Sequence, residues 1–270
     1  MMHAIAQRLP KPDAADALEG VRTDAAAPGL ALHLDHGVAR RVLARLTAVL
    51  VLGTFVAQFM MWSGRAMGVA RFFDADVKVN FPTGFKVLTL GTVALSAWVL
   101  SRCARQSQDK WARHWSRLAL VTMFLMLDEM AYIHQSLASA LGTHHNAAGG
   151  ILHYSWVFVY LPVAAFVCVT FIPFVLALRP DLRLRLIVGG GLFAGGSGGL
   201  ELVKGRIINL YGETSLQFRL TTAVSDSLEM IGLAVLVLAL LAEIARRVSR
   251  ISVDVAAEPP APLPTGLSTS

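Results

Sequence analysis

Between Leu125 and His134 the chain reads L-M-L-D-E-M-A-Y-I-H, so two adjacent carboxylates, Asp128 and Glu129, and one histidine sit in an apolar stretch. Carboxylate and imidazole groups can move protons in acid–base steps. They can also hold zinc or iron with an open position that activates water. The setting makes them costly. Leu118 to Leu127 carries no charge, as in a membrane span. On the membrane-insertion scale an Asp at a helix centre costs roughly 2.5–3.5 kcal/mol, and each Leu, Ile, Phe or Val returns only about 0.3–0.6. Six or seven such residues return about 2–4 kcal/mol, less than two central acids cost. Partners, water or an interfacial position must make up the difference.

The elements that position this pair follow from composition. Of 270 residues, 55% are hydrophobic and only 16% charged, which fits a polytopic membrane protein rather than a soluble domain. Six apolar runs are long enough to span, at about 42–62, 85–102, 116–136, 155–178, 186–203 and 222–244. The expected fold class is therefore all-α, a bundle of six transmembrane helices within residues 39–250. Residues 1–38 and 251–270 read as disordered cytoplasmic tails. Fourteen Arg and Lys flank one side of the spans. Seven flank the other: Arg65, Arg71, Lys78, Lys86, Lys204, Arg206 and Arg219. That asymmetry puts both termini in the cytoplasm and explains the net charge of +6 without nucleic acid. Trp62 and Trp156, and at the other end Trp111 and Trp115, fall where interfacial anchors belong. The two cysteines imply no disulfide framework.

With this orientation most ionisable groups fall at one level, near the outer face. Asp128, Glu129 and His134 end the third span. His144, His145 and His153 follow it. Glu201 and Lys204 close the fifth, and Asp226 and Glu229 open the sixth. Only Glu243 lies at the inner end, where neighbouring arginines explain it. Plainer readings exist for several of these groups. Asp226 and Glu229 have the spacing of a capping box. Glu201 can pair with Lys204 or Arg206, and the histidines of the loop can be solvated. Asp128 and Glu129 have no such alternative. In the loop before the second span, Asp74 and Asp76 read as a solvated turn. Pro82 suits the first helical turn, with Phe81 extended before it. Gly191, Gly195 and Gly199 form a small-xxx-small face in the fifth span, for close packing or a broken helix.

Helical phase sets a condition on the cluster. At about 100° per residue, His134 points roughly 120° away from Asp128 and 140° from Glu129. A straight helix cannot aim all three at one point. Either it unwinds near Tyr132 or His134 serves another neighbour.

Four motifs carry a resemblance. They are F-D-x-D…N-x-P-T-x-F (Phe73 to Phe85), L-D-E-x4-H (Leu127 to His134), G-L-E (Gly199 to Glu201) and L-E-M-x-G (Leu228 to Gly232). Over about residues 70–240 the chain resembles an uncharacterised family of bacterial six-helix membrane proteins, sometimes labelled transporter-like. The resemblance implies the fold and a bacterial cytoplasmic membrane, but no reaction. A more distant analogy is with the alkaline ceramidase and adiponectin-receptor superfamily, which holds zinc near one membrane face; the late H-x3-H pair of those proteins is missing here.

Three classes stay open. The first is a metal-dependent, hydrolase-like enzyme embedded in the membrane. Its metal ligands would be Glu129, His134, Glu201 and Glu229, for zinc or iron, with Asp128, Glu129 and Asp226 as proton-carrying groups. The second is a proton- or cation-coupled transporter of small molecules. The third is a structural or sensor protein whose acids pair internally. Because the cluster lies on one side in both halves, the sequence favours the enzyme.

Overall fold

The computed structural model describes residues 30–31, 36–65, 68–73, 80–140, 156–247 and 252–253. It divides into two units, Met1–His33 with Arg250–Ser270, and Leu34–Ser249. In the first, β1 (Leu30–Ala31) pairs antiparallel with β2 (Ser252–Val253), Leu30 opposite Val253. The remainder of the expected tails lies outside the described residues.

The second unit is helical. It comprises α1 (His36–Trp62), a 3-10 turn (Gly68–Phe73), α2 (Phe81–Gln106), α3 (Ala112–Ala131), α4 (Ile133–Ala140) and α5 (Val157–Ala177). Then come α6 (Pro180–Ala194), a π-helical turn (Gly195–Leu200), α7 (Glu201–Tyr211) and α8 (Leu216–Arg247). Five stretches are long and apolar enough to cross a membrane: Gly37–Trp62, Phe81–Gln106, Val157–Ala177, Pro180–Tyr211 and Leu216–Arg247. Helix α3 is not among them; its 20 residues include Arg113, Arg117, Asp128 and Glu129.

Local chemistry sets two helix ends near the polar cluster. Helix α2 starts where Asn80, extended at φ −144 and ψ 162, accepts the Thr83 N–H at 2.6 Å, with Pro82 in the first turn. The extended residue is thus Asn80, one position before the expected Phe81. Helix α3 ends where Tyr132 turns left-handed, at φ 53 and ψ 43, and α4 begins at Ile133.

Helix α8 is the hub, packed against α1, α2, α6 and the π turn. An apolar core of Val93, Ala97, Leu100, Trp115, Phe174, Val237 and Leu240 fills one half of the bundle. Trp115 is not the interfacial anchor expected from the sequence. It is fully buried, edge-on to Phe174 with ring centroids 4.9 Å apart.

Ion pairs reveal which ends lie together. Arg247 is 3.6 Å from Asp109, and Arg179 is 3.7 Å from Glu243. The α2–α3 turn, the α5–α6 turn and the end of α8 therefore meet. At the opposite end Arg219 donates to Gln58 at 3.3 Å, joining the end of α1 to the start of α8. Glu243 is buried and clamped, by Arg246 at 2.5 and 2.9 Å and by Arg247 at 2.6 Å. Neighbouring arginines hold this acid, as its sequence context suggested.

Close approach of α6 to α8 runs through a different glycine face from the one the sequence advertises. A Cβ on Gly191, Gly195 or Gly199 would meet nothing within 4 Å. The tight positions are Gly189, Gly196 and Gly232. A Cβ on Gly232 would lie 2.6 Å from Gly189 O and from Phe193 N, and one on Gly196 would lie 2.6 Å from Ser225 O. Backbone atoms cannot yield as a side-chain tip can. Gly232→Ala and Gly196→Ala are each expected to cost about 1–3 kcal/mol through overpacking, while Gly195→Leu is tolerated. Melting temperatures in detergent check this; a Gly232→Ala protein as stable as wild type would contradict the assigned contact.

Candidate functional site

The buried face of α2 runs Thr83, Lys86, Leu90, Val93, Ala97 and Leu100, at intervals of three or four. Lys86 is in register with that stripe. It does not lie at an interface as a topological cation, the role expected from its place in the sequence. Its Nζ is 2.7 Å from Glu129 Oε1, 3.0 Å from Glu229 Oε2 and 3.6 Å from Asp226 Oδ1. Glu129 comes from α3, and the other two from successive turns of α8. Asp226 and Glu229 sit well inside α8 and are buried, so they are not the capping box their spacing resembles. An ammonium has three N–H donors, and three carboxylates surround it. The pairing is direct, but the formal charges are unequal.

The π turn covers this cluster from the α6–α7 side. Ser225 donates its hydroxyl to Gly196 O at 2.9 Å. A Cβ at Gly196 would also meet Glu229 Cγ at 2.8 Å, so glycine lets the turn rest on the glutamate.

Asp128 belongs to a second group. Its Oδ1 accepts the His134 backbone N–H at 2.8 Å and the Tyr160 hydroxyl at 3.0 Å. Its Oδ2 is 3.0 Å from His134 Nδ1. The left-handed Tyr132 resolves the phase conflict. The helix breaks there, and the chain turns His134 back onto Asp128. The rings of Trp156 and Tyr160 stand edge-on to His134, with centroids 5.6 and 6.3 Å away. Adjacent acids thus face different partners, Glu129 the lysine and Asp128 the histidine.

The expected metal ligands are therefore divided. Glu129 and Glu229 share Lys86, His134 is held by Asp128, and Glu201 forms an i,i+3 ion pair with Lys204. Among the described residues no group of three or more His, Cys, Asp and Glu is arranged to hold a metal. The physical reason is the ammonium of Lys86, which stands where the carboxylates converge. Of the groups assigned to proton transfer, Glu129 and Asp226 meet at Lys86, while Asp128 does not. His144, His145, His153, Asp74 and Asp76 lie outside the described residues. Lys86 was the residue missed. The signal that could have found it is its register with the buried stripe of α2.

Five stretches long and apolar enough to cross a membrane fit a multi-pass helical membrane protein. The chain belongs to the family described as a domain of unknown function, DUF8692, whose family model matches residues 42–244. No curated protein and no solved structure matches it.

Removing one partner from a buried pair leaves an uncompensated charge. Lys86→Met is therefore expected to cost about 3–5 kcal/mol. A double-mutant cycle of Lys86→Met with Glu229→Gln should show strong coupling, because the second change removes part of the orphaned charge. Denaturation in detergent reads this; additive effects would show that the two side chains do not interact.

Proposed function

We propose that the chain is a six-span protein of the bacterial cytoplasmic membrane, with both termini cytoplasmic. Its Lys86–Glu129–Asp226–Glu229 cluster exchanges a proton or small cation with the outer side to drive transport of a small molecule. The carrying observation is geometric: among the described residues, three carboxylates from two helices converge on the ammonium of one buried lysine. A structural ion pair requires one acid. Two further ionised carboxylates in an apolar bundle are expensive, and a proton or an entering cation offsets them.

Three features support this reading. Glu129 is the least buried of the acids, its side chain 22% exposed. Irregular backbone flanks the cluster on both sides, at Tyr132 and at the Gly195–Leu200 turn. Transporters coordinate ions at such interruptions. Toward the other end the apolar core of Val93, Leu100, Val237 and Leu240 closes the path. The one-sided position of the acids then corresponds to one closed state of a gated site.

A sixth span is α3, whose 20 residues extend about 30 Å, the thickness of a hydrocarbon core. The cationic asymmetry, fourteen to six once Lys86 is set aside, supports the orientation. Reporter fusions after Arg105 and Leu182 should report cytoplasm, and fusions after Arg71 and Thr143 the outer side.

Current recorded on a solid-supported membrane tests the exchange without a known substrate. A proton or sodium jump should drive a transient charge movement through wild-type proteoliposomes, and Glu129→Gln should abolish it while the protein stays folded. No transient in wild type would sink the reading. One observation favours a second reading. Asp128 holds His134 by Nδ1, the arrangement that readies Nε2 as a base or a zinc or iron ligand in a hydrolase-like site. Stoichiometric metal in purified protein, lost in His134→Ala, would establish that enzyme instead.

A further inference from the structure

We infer that the turn joining α2 to α3 binds the headgroup of an anionic phospholipid. The cations near the α5–α6 turn and the end of α8 differ in their partners from those of the α2–α3 turn. Arg179 is 2.9 Å from Asp181, Arg246 and Arg247 hold Glu243, and Arg183 donates to Leu176 O at 3.2 Å. These are committed to internal partners. Around the α2–α3 turn, Arg102, Arg105, Lys110, Arg113 and Arg117 are all exposed. Among the described residues, none of the five is ion-paired to a carboxylate, and Arg105 donates to the Ser116 hydroxyl at 3.0 Å.

The turn is built so that this charge faces outward. Gln108 is left-handed at φ 54, and the Asp109 N–H donates to Ala104 O at 2.8 Å. That backbone directs Asp109, the one acid of the turn, inward. Its Oδ1 accepts the Trp111 N–H at 3.0 Å, and its Oδ2 lies 3.6 Å from Arg247. A shallow, open groove lies here, lined by Arg105, Gln108, Asp109, Lys110, Ala112 and Arg113, and most of these side chains can meet a phosphate directly.

The surroundings match an amphiphile. Arg102 stacks over Trp98 at 5.2 Å, and Lys110 over Trp111 at 5.3 Å, the habit of aromatic and cationic residues at a membrane interface. Exposed, uncharged faces lead away from the cations, with Leu88, Leu95 and Trp98 on α2 and Leu120, Phe124 and Leu127 on α3. A phospholipid presents the complementary order, acyl chains and then phosphate. Five cations around one inward-turned acid select an anionic headgroup, because the amine of a zwitterionic one would meet charge of its own sign.

Native mass spectrometry of the full chain released from nanodiscs tests this. Wild type should retain phosphatidylglycerol in preference to phosphatidylcholine. The R105Q/K110Q/R113Q variant should lose that retention by about tenfold to a hundredfold. The single Lys110→Gln variant, a change at one exposed side chain, should show a smaller loss in the same direction. R183Q/R185Q, at the α5–α6 end, should bind like wild type. Absence of a headgroup preference, or equal losses in both multiple variants, would overturn the inference and leave only a general basic surface. Displacement of the lipid by millimolar glycerol phosphate would also overturn it, showing a soluble phosphate site.

Discussion

One ammonium holds three helices of this bundle together at one end. Lys86 draws Glu129 from α3 and Asp226 and Glu229 from α8 to within 3.6 Å. The three helices that carry these groups are thereby locked in register at one end. Without the lysine, three carboxylates would share an apolar interior, and each would demand water, a proton or a metal. With it, none is isolated, yet the charges do not cancel. Among the described residues the cluster is thus a fastening in which one ammonium serves three carboxylates.

The rest of the backbone bends to this requirement. Adjacent residues on a helix point about 100° apart, so Asp128 and Glu129 cannot serve one partner. The chain uses the difference. Glu129 turns to the lysine, and Asp128 turns to His134 and Tyr160, which ties α3 to α5. The left-handed Tyr132 makes the second contact possible. On the other flank the Gly195–Leu200 turn has six residues in a π conformation, and glycine there allows backbone to rest on Ser225 and Glu229. Helix irregularities near an ionic cluster are the usual places where a bundle changes state.

Much of this was legible in the chain. Five of the six apolar runs fall on stretches of spanning length, because hydropathy over about 20 residues is dictated by the bilayer itself; the third falls on α3, which is not among them. The cost of Asp128 and Glu129 in an uncharged run called for partners, which both have, and the phase of His134 made a break near Tyr132 one of two ways out. Lys86 was not recognised, because a helix start read four residues late places it at an interface; the Asn80 cap puts it in the second turn. The break could be anticipated but not assigned to Tyr132, since glycine or asparagine is the usual left-handed residue. The glycine face was misjudged for a related reason. Gly191, Gly195 and Gly199 repeat on an ideal helix, but the contacts with α8 are made by Gly189 in α6 and, two turns on, by Gly196 in the π turn. The division of the acids between Lys86, His134 and Lys204 depends on contacts between distant segments, which spacing alone does not encode.

The two charged clusters of the bundle make opposite use of the same forces. At one end a single carboxylate, Glu243, is gripped by Arg246 and Arg247, with Arg179 3.7 Å away. Guanidinium groups present planar forks that fix a carboxylate in place, and this end carries excess positive charge. At the other end a single lysine faces three carboxylates. An ammonium is a compact charge on a flexible stem with rotatable donors, and it can shift among acceptors without rebuilding the site. A fastening that only had to hold would gain from arginine. Lysine among several acids, with helix breaks on both flanks, is the arrangement on which the proposed exchange rests, and nothing comparable surrounds Glu243.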